Sequence, residues 1–348
     1  MTDGSREGLA HGTGGPVVVV EDVWGEAFDT LATTREVIRE PDAWSDEDRL
    51  AELVAAASVL VVRNRTRVSR SLMEAAAKLQ LVARAGVGLD NIDVPAADHL
   101  GIVVSAARGA NARSVAEMAL GLALAVARDI TGHDRRTRTG GWQRSEGIEL
   151  RGRCWGAVGL GATGLETVRL ARAVGMHTAG FDPYAPADAR LEGLDDRVPT
   201  LESLLAVADV VSLHVPLSSE TAAMANDSFF GSMRPHAILI NVGRGGLVDE
   251  PALLRALGSG RLEGAGLDVR EAEPPTVGAL EENPRVVLTP HVAGITSEAQ
   301  ERVAELLAAD IEAVLDGRAA ANAVGTWSQP SKEPAGAAPA GDVPGAAR

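Results

Sequence analysis

The sequence predicts an α/β protein of two domains built on parallel sheets. Three observations predict it: a length of 348 residues, short β-branched runs alternating with amphipathic Ala/Leu-rich stretches, and one long apolar helix that divides the alternation into two blocks. At about 150 residues per domain such a chain fills two, with ample material for sizeable cores. Strand alternating with helix is the pattern of parallel sheets covered on both faces. Near-continuous apolar runs such as AILINV (237–242) are what strands buried on both sides require.

Taken in order, residues 1–15 are Gly-rich and polar and predict a flexible extension, since they bury too little apolar surface to offset their ordering entropy. The first block has strands expected at 17–20, 59–63, 81–84 and 102–104. Residues 112–128 (ARSVAEMALGLALAVAR) predict the long helix. Six further strands follow, at 155–159, 178–181, 210–214, 238–242, 265–269 and 286–289. A last helix, 297–315, is expected to pack back on the first block. The first domain is then discontinuous, 16–107 plus 297–318, and 108–296 forms the second, with the two crossovers acting as a hinge. From 319 to 348 the chain is rich in Ala, Pro and Gly and predicts a flexible tail.

Composition excludes several functions. Net charge is −15 with a pI near 5.0, against a nucleic-acid or anionic-membrane partner, both of which attract clustered positive charge. No apolar run approaches the roughly 20 residues of a membrane span, and the N-terminus lacks the apolar core of a secretory signal. One cysteine, Cys154, excludes an internal disulfide framework and a cysteine-rich metal site. A cytoplasmic protein without a metal is expected. Lys78 and Lys332 are the only lysines, leaving 31 arginines. Neither lysine follows a glycine loop, which excludes a P-loop.

Residues 155–164 read WGAVGLGATG, a strand running into Gly159, Gly161 and Gly164 in G-x-G-x-x-G spacing, with a helix pattern after it. Gly159 permits the tight turn, Gly161 lets backbone approach a pyrophosphate, and Gly164 allows close helix packing. The helix N-terminus offers unpaired N–H groups to the phosphates. Asp182 ends the next strand, 18 residues beyond Gly164, where an acid accepts hydrogen bonds from the adenosine ribose. That acid repels a 2′-phosphate, and Pro183 and Tyr184 supply no arginine to hold one. NAD is the expected cofactor.

Three later stretches, NVGRGGLVDE (241–250), GLDVREAEP (266–274) and LTPHVAGITSEAQ (288–300), place Arg244, Glu273 and His291 after strands. Ligands bind at that edge of an open α/β sheet. Hydride transfer to a 2-oxo acid needs a cation for the carboxylate and carbonyl, which arginine's fork suits. It needs a proton donor titrating near neutrality. A carboxylate against that donor orients it and favours its protonated form. The three residues fit these roles.

On these motifs, with RAGVGLDNID (84–93), ANARSVAE (110–117), FDPY (181–184) and VSLHVPL (211–217), the chain resembles the D-isomer-specific 2-hydroxyacid dehydrogenase family. That family contains phosphoglycerate, formate and glycerate dehydrogenases and the C-terminal-binding-protein corepressors. The resemblance implies two Rossmann-like or flavodoxin-like domains with the active cleft between them, and Arg244, Glu273 and His291 as the catalytic triad. It implies cofactor contacts at Gly159, Gly161, Ala162, Thr163, Gly164, Asp182, Pro183, His214, Pro216, Thr221, Val242, Gly243, Asp268, His291 and Gly294, with Asp268 on the nicotinamide carboxamide. Val87 and Gly88 would offer backbone amides to the substrate carboxylate. It also implies a homodimer through the cofactor domain, with Trp142 either an interface anchor or a core residue. Two departures stand out. Ala106, Ala107 and Arg108 replace the family's Asn-x-Pro beside the cleft, and no regulatory domain is recognisable after Leu315, so feedback control is not expected.

Arg63 and Arg84, with Arg65, follow apolar strands of the first domain. In phosphoglycerate dehydrogenases the arginines matching Arg63 and Arg84 hold the substrate's phosphate, which together with Arg244 implies a small, dianionic 2-hydroxy or 2-oxo acid. Two other readings share the motifs: an NADH-sensing corepressor-like interaction protein, and a dehydrogenase of another small anion such as phosphite.

Overall fold

The computed structural model describes residues 14–23, 25–186 and 191–327, so most of both expected flexible ends (1–13 and 328–348) lies outside the described residues. In the first domain β1 (Val17–Val19), β2 (Val37–Arg39), β3 (Val59–Val62), β4 (Leu81–Arg84) and β5 (Val103–Ala106) form a parallel sheet. In the second, β6 (Cys154–Val158), β7 (His177–Phe181), β8 (Asp196–Arg197), β9 (Val210–Leu213), β10 (Ala237–Asn241), β11 (Leu262–Leu267) and β12 (Val286–Leu288) form another. A last strand, β13 (Ala323–Val324), returns to the first. Sheet orders are β2-β1-β3-β4-β5-β13 and β8-β7-β6-β9-β10-β11-β12. The first is flavodoxin-like with β13 added, and the second is the Rossmann order extended by one strand.

The ten expected strands are all present. Missing from the sequence reading were β2, β8 and β13, which have two or three residues each and sit at or next to sheet edges. Strand β13 also corrects the boundary of the tail. Ala323 and Val324 pair antiparallel with Ser105 and Val104, and Ala320, Ala323 and Val324 are buried. A short Ala/Val run gains enough by docking on an open sheet edge to stay ordered. At the other end, Gly15, within the expected N-terminal extension, donates to Ser58 Oγ at 2.6 Å.

Each sheet is apolar on both faces. Helix Ser297–Leu315 packs Val303, Ala304, Leu307 and Ile311 against Val17, Val19, Val59 and Leu81 of the first sheet. Full burial of each large aliphatic contributes roughly 1.5–3 kcal/mol relative to exposure. Helix Ala112–Ala127 covers Ile238 and Ile240 of the second. The chain thus crosses between domains twice, and the crossovers are tied together: Ser114 Oγ lies 2.9 Å from Thr296 Oγ1, and Arg302 Nε donates to the Ala110 carbonyl at 2.8 Å.

Both sheets reverse strand order at one point, between β1 and β3 and between β6 and β9. Ligands bind outside strand C-termini at such points. The two switch points face one cleft of about 1800 Å³ between the domains.

Candidate active site

Asn241, closing β10, shapes the turn that projects Arg244. Its Oδ1 accepts from the Gly243 N–H at 3.1 Å, and its Nδ2 donates to the Arg244 carbonyl at 2.9 Å. Arg244 Nε donates to Asp90 Oδ2 at 2.8 Å and Nη1 to the Gly243 carbonyl at 2.8 Å. A Cβ placed on Gly88 would lie 1.6 Å from Arg244 Nη2. Arg244 therefore crosses from the second domain onto the 86–88 turn of the first, and glycine at 88 leaves the room it occupies. Nη2 is the donor left for a substrate.

His291 has a left-handed backbone, φ 56°, which a non-glycine residue keeps only where its surroundings over-determine it. Asp268 does this. Its buried carboxylate accepts from the Thr289 hydroxyl at 2.5 Å, the Val292 N–H at 2.9 Å and the Ala293 N–H at 2.8 Å, while its carbonyl accepts from the His291 N–H at 2.7 Å. The imidazole Nδ1 lies 2.7 Å from Glu273 Oε2. An ionised carboxylate only accepts, so Nδ1 carries a proton and Nε2 is left to face the cleft. Burial alone would raise the Glu273 pKa. Its hydrogen bonds from His291 and the Arg270 N–H outweigh burial and hold it below the usual value. Arg270 pairs with Glu250 at 2.8 and 2.9 Å and with Glu281, which locks the loop carrying Glu273.

The opposite wall belongs to the first domain. Arg84 is buried, with Nη1 donating to the Ala85 carbonyl at 3.0 Å and Nε without a partner among the described residues. Burial first, and then the Arg244 charge, lower its pKa to about 10. Nη1 of Arg84 would lie 1.8 Å from a Cβ on Gly86, so Arg84 and Arg244 address the same turn. Arg63 Nη1 donates to the Asp22 carbonyl at 3.2 Å, and Arg65 stacks 4.7 Å from the Trp44 ring centroid. Glu21 clasps this corner, its carboxylate accepting the N–H groups of Arg63, Asn64, Arg65 and Thr66 at 2.8–3.1 Å. Burial would raise its pKa, yet these amides bring it below the ordinary value. The Val87 and Gly88 N–H groups donate to nothing among the described residues.

The phosphate turn lies where the glycine spacing puts it. Gly159 has φ 93°, and a Cβ on Gly164 would stand 2.0 Å from the Gly159 carbonyl oxygen. Helix Ala162–Ala173 begins with no side-chain cap on its first turn, and space above Gly161 is open. His214 flanks the turn with Nδ1 buried and unpartnered among the described residues, and burial lowers its pKa to about 4. Uncapped N–H groups, open space and a neutral imidazole with a spare ring nitrogen fit a dinucleotide.

Asp182 Oδ2 accepts from the Leu160 N–H at 2.9 Å, and Oδ1 from the Tyr184 and Ala185 N–H groups at 2.8 and 3.2 Å. About one of a carboxylate's four acceptor positions remains for a ribose. One sequence inference needs correcting, because an arginine does stand nearby. Arg197, on β8, reaches the carbonyls of Asp182 (3.2 Å), Ala185 (2.5 Å) and Pro186 (2.6 Å). Its guanidinium is spent on that loop, so the expectation about a 2′-phosphate keeps its footing for a different reason.

The cleft gathers Arg63, Arg84, Val87, Gly88, Gly161, Ala162, Thr163, His214, Pro216, Val242, Gly243, Arg244, Asp268, Glu273, His291 and Gly294. Gly159 and Gly164 are not on its lining, and neither are Asp182, Pro183 or Thr221. Thr221 is committed locally, accepting from the Ser218 N–H and donating to the Pro216 carbonyl. Trp142 is 77% exposed, which removes the reading of it as a core residue. Residues the sequence reading left out are Asp90, Trp44 and Arg270. Asp90 and Arg270 lay within motifs already singled out, 84–93 and 266–274, whereas Trp44 carried no local signal.

Residues 120–293 match the model of the D-isomer specific 2-hydroxyacid dehydrogenase NAD binding domain. The chain belongs to the D-isomer-specific 2-hydroxyacid dehydrogenase family, and its cofactor is NAD(H). It is 39% identical over 319 residues to D-3-phosphoglycerate dehydrogenase of Methanocaldococcus jannaschii, covering 91% of this chain and 60% of that one. Among solved structures, the TT0316 protein of Thermus thermophilus is 34% identical with a TM-score of 0.81, covering 89% of this chain and 100% of its own. The holo form of Rhodotorula graminis D-mandelate dehydrogenase is 29% identical, also at a TM-score of 0.81, covering 91% and 99%. This chain thus spans about 60% of the length of its curated relative.

Proposed function

We propose that the protein is an NAD-dependent 2-hydroxyacid dehydrogenase that interconverts a small dianionic 2-hydroxy acid, 3-phosphoglycerate-like, with its 2-oxo acid. The observation that carries the substrate class is Arg84, a buried guanidinium with an unpartnered Nε beside the turn that Arg244 also addresses. A buried guanidinium that no carboxylate contacts directly among the described residues is costly, and an anionic substrate arm supplies that partner. The names of the curated relatives support the same class.

In the reductive direction the free Val87 and Gly88 N–H groups and Arg244 Nη2 hold the substrate carboxylate and polarise the carbonyl. Bound NADH supplies a hydride to C2. His291 Nε2 gives its proton to the carbonyl oxygen as that oxygen gains charge, and ionised Glu273 stabilises the imidazolium beforehand. Asp90 holds Arg244 at Nε, so the guanidinium keeps one orientation. We also propose a cytoplasmic homodimer through the second domain. Exposed Trp142, Leu124 and Ile130 support that surface, and the single cysteine fits a reducing compartment.

NADH oxidation at 340 nm is to be followed with 3-phosphohydroxypyruvate, oxaloacetate-like acids and glyoxylate. Dianionic acids are expected to show the higher kcat/KM; equal efficiency on glyoxylate would overturn the substrate class.

A further inference from the structure

Arg108 stands in the crossover from β5 to the long helix, where the sequence departs from its family. Its turn is held firmly. The Ala107 N–H donates to the Gly86 carbonyl at 3.1 Å and the Arg108 N–H to the Ala106 carbonyl at 2.7 Å, with Gly109 at φ 76°. On one side the turn touches the 86–88 substrate turn. On the other it meets the phosphate turn of the second domain, since a Cβ on Gly109 would lie 3.7 Å from Ala162 Cβ. Arg108 lines the cleft together with Gly161, Ala162 and Thr163. Its side chain is exposed and makes no hydrogen bond or ion pair among the described residues.

A pyrophosphate brings two negative charges into a molecule of net charge −15. Gly161, Ala162 and Thr163 offer it backbone N–H groups and no cation. From this arrangement we propose that Arg108 supplies the missing cation, its guanidinium holding the pyrophosphate of NAD(H) from the crossover between the domains. Proline at this position carries no such group. An arginine fork matches phosphate oxygens bidentately, and because Arg108 stands on the crossover, in a turn bonded to Gly86 of the first domain, its contact links cofactor seating to closure of the cleft. The proposal rests on the NAD(H) reading of the phosphate turn.

The test uses the full chain without substrate. NADH affinity is read by fluorescence titration, and ADP-ribose and adenosine are read by competition, for wild type, Arg108→Ala and Arg108→Lys, at low and high salt. Arg108→Ala is expected to weaken NADH and ADP-ribose about tenfold, the effect of one charge-assisted hydrogen bond. Adenosine, which has no phosphate, should stay within about twofold, and Arg108→Lys should recover most of the loss as a single charge. Salt should weaken the wild type more than Arg108→Ala. ADP-ribose affinity unchanged in Arg108→Ala overturns the proposal, and so does a parallel loss for adenosine, which marks a distorted turn. Failure of wild type to bind NADH at all removes the cofactor reading itself, a result distinct from any of these.

Discussion

Glu273 and His291 are 18 positions apart and meet at 2.7 Å. Glu273 stays ionised there, which fixes the ring proton on Nδ1 and reserves Nε2 for the substrate oxygen. His291→Ala is therefore expected to leave NADH affinity within about twofold while lowering turnover by about 10²–10⁴. Fluorescence titration beside steady-state rates checks this, and lost NADH binding would show that the residue serves the fold instead. At this scale the sequence exposed chemistry better than geometry. Arg244, Glu273 and His291 were legible because each follows a strand in a motif whose residue types suit one reaction. Asp268 was legible only as a cofactor contact, yet three of its acceptor positions clamp the turn of His291. That clamp pairs positions 21 to 25 residues apart, and no spacing rule reveals it.

Among elements, the β6–turn–helix unit shows most directly why glycine spacing has meaning. Gly164 brings its helix so near the strand end that an added Cβ would stand 2.0 Å from the Gly159 carbonyl oxygen. Neither atom can yield, since one is backbone in a strained turn and the other begins a helix. Gly164→Ala is expected to push the helix start away from the turn, lowering Tm by several degrees and weakening NADH at least tenfold. The pair of measurements, a thermal melt and a titration, checks it; an unchanged NADH affinity would show that the close approach is dispensable. The ten longer or strongly apolar strands could be read from β-branched runs, because burial on both faces writes a continuous apolar signal. Strands β2, β8 and β13 could not. At two or three residues they contribute too little pattern, and only pairing with a neighbour makes them strands.

For the whole molecule, the two-domain plan and the return of helix 297–315 to the first sheet were visible in the alternation of elements. What joins the domains was not. Arg244 pairs with Asp90 across the cleft, and Ser114 and Thr296 bind the two crossovers to each other; both links span more than 150 positions of sequence, far beyond any local pattern. The crossovers are therefore tied into one strap, with the cleft on one side of it. Its stiffness belongs to the pair rather than to either segment alone.

Strand β13 has a further consequence. It occupies the outer hydrogen-bonding edge of β5, which would otherwise present unpaired N–H and C=O groups to any passing chain. Ending the polypeptide at Arg318 would strip that cover and bare the apolar patch under Ala320 and Ala323. Such a truncated chain is expected to self-associate into sheet-linked aggregates at concentrations where the intact one gives a single sharp peak by light scattering coupled to gel filtration. A truncated form that stays monodisperse would mean that β5 guards its own edge.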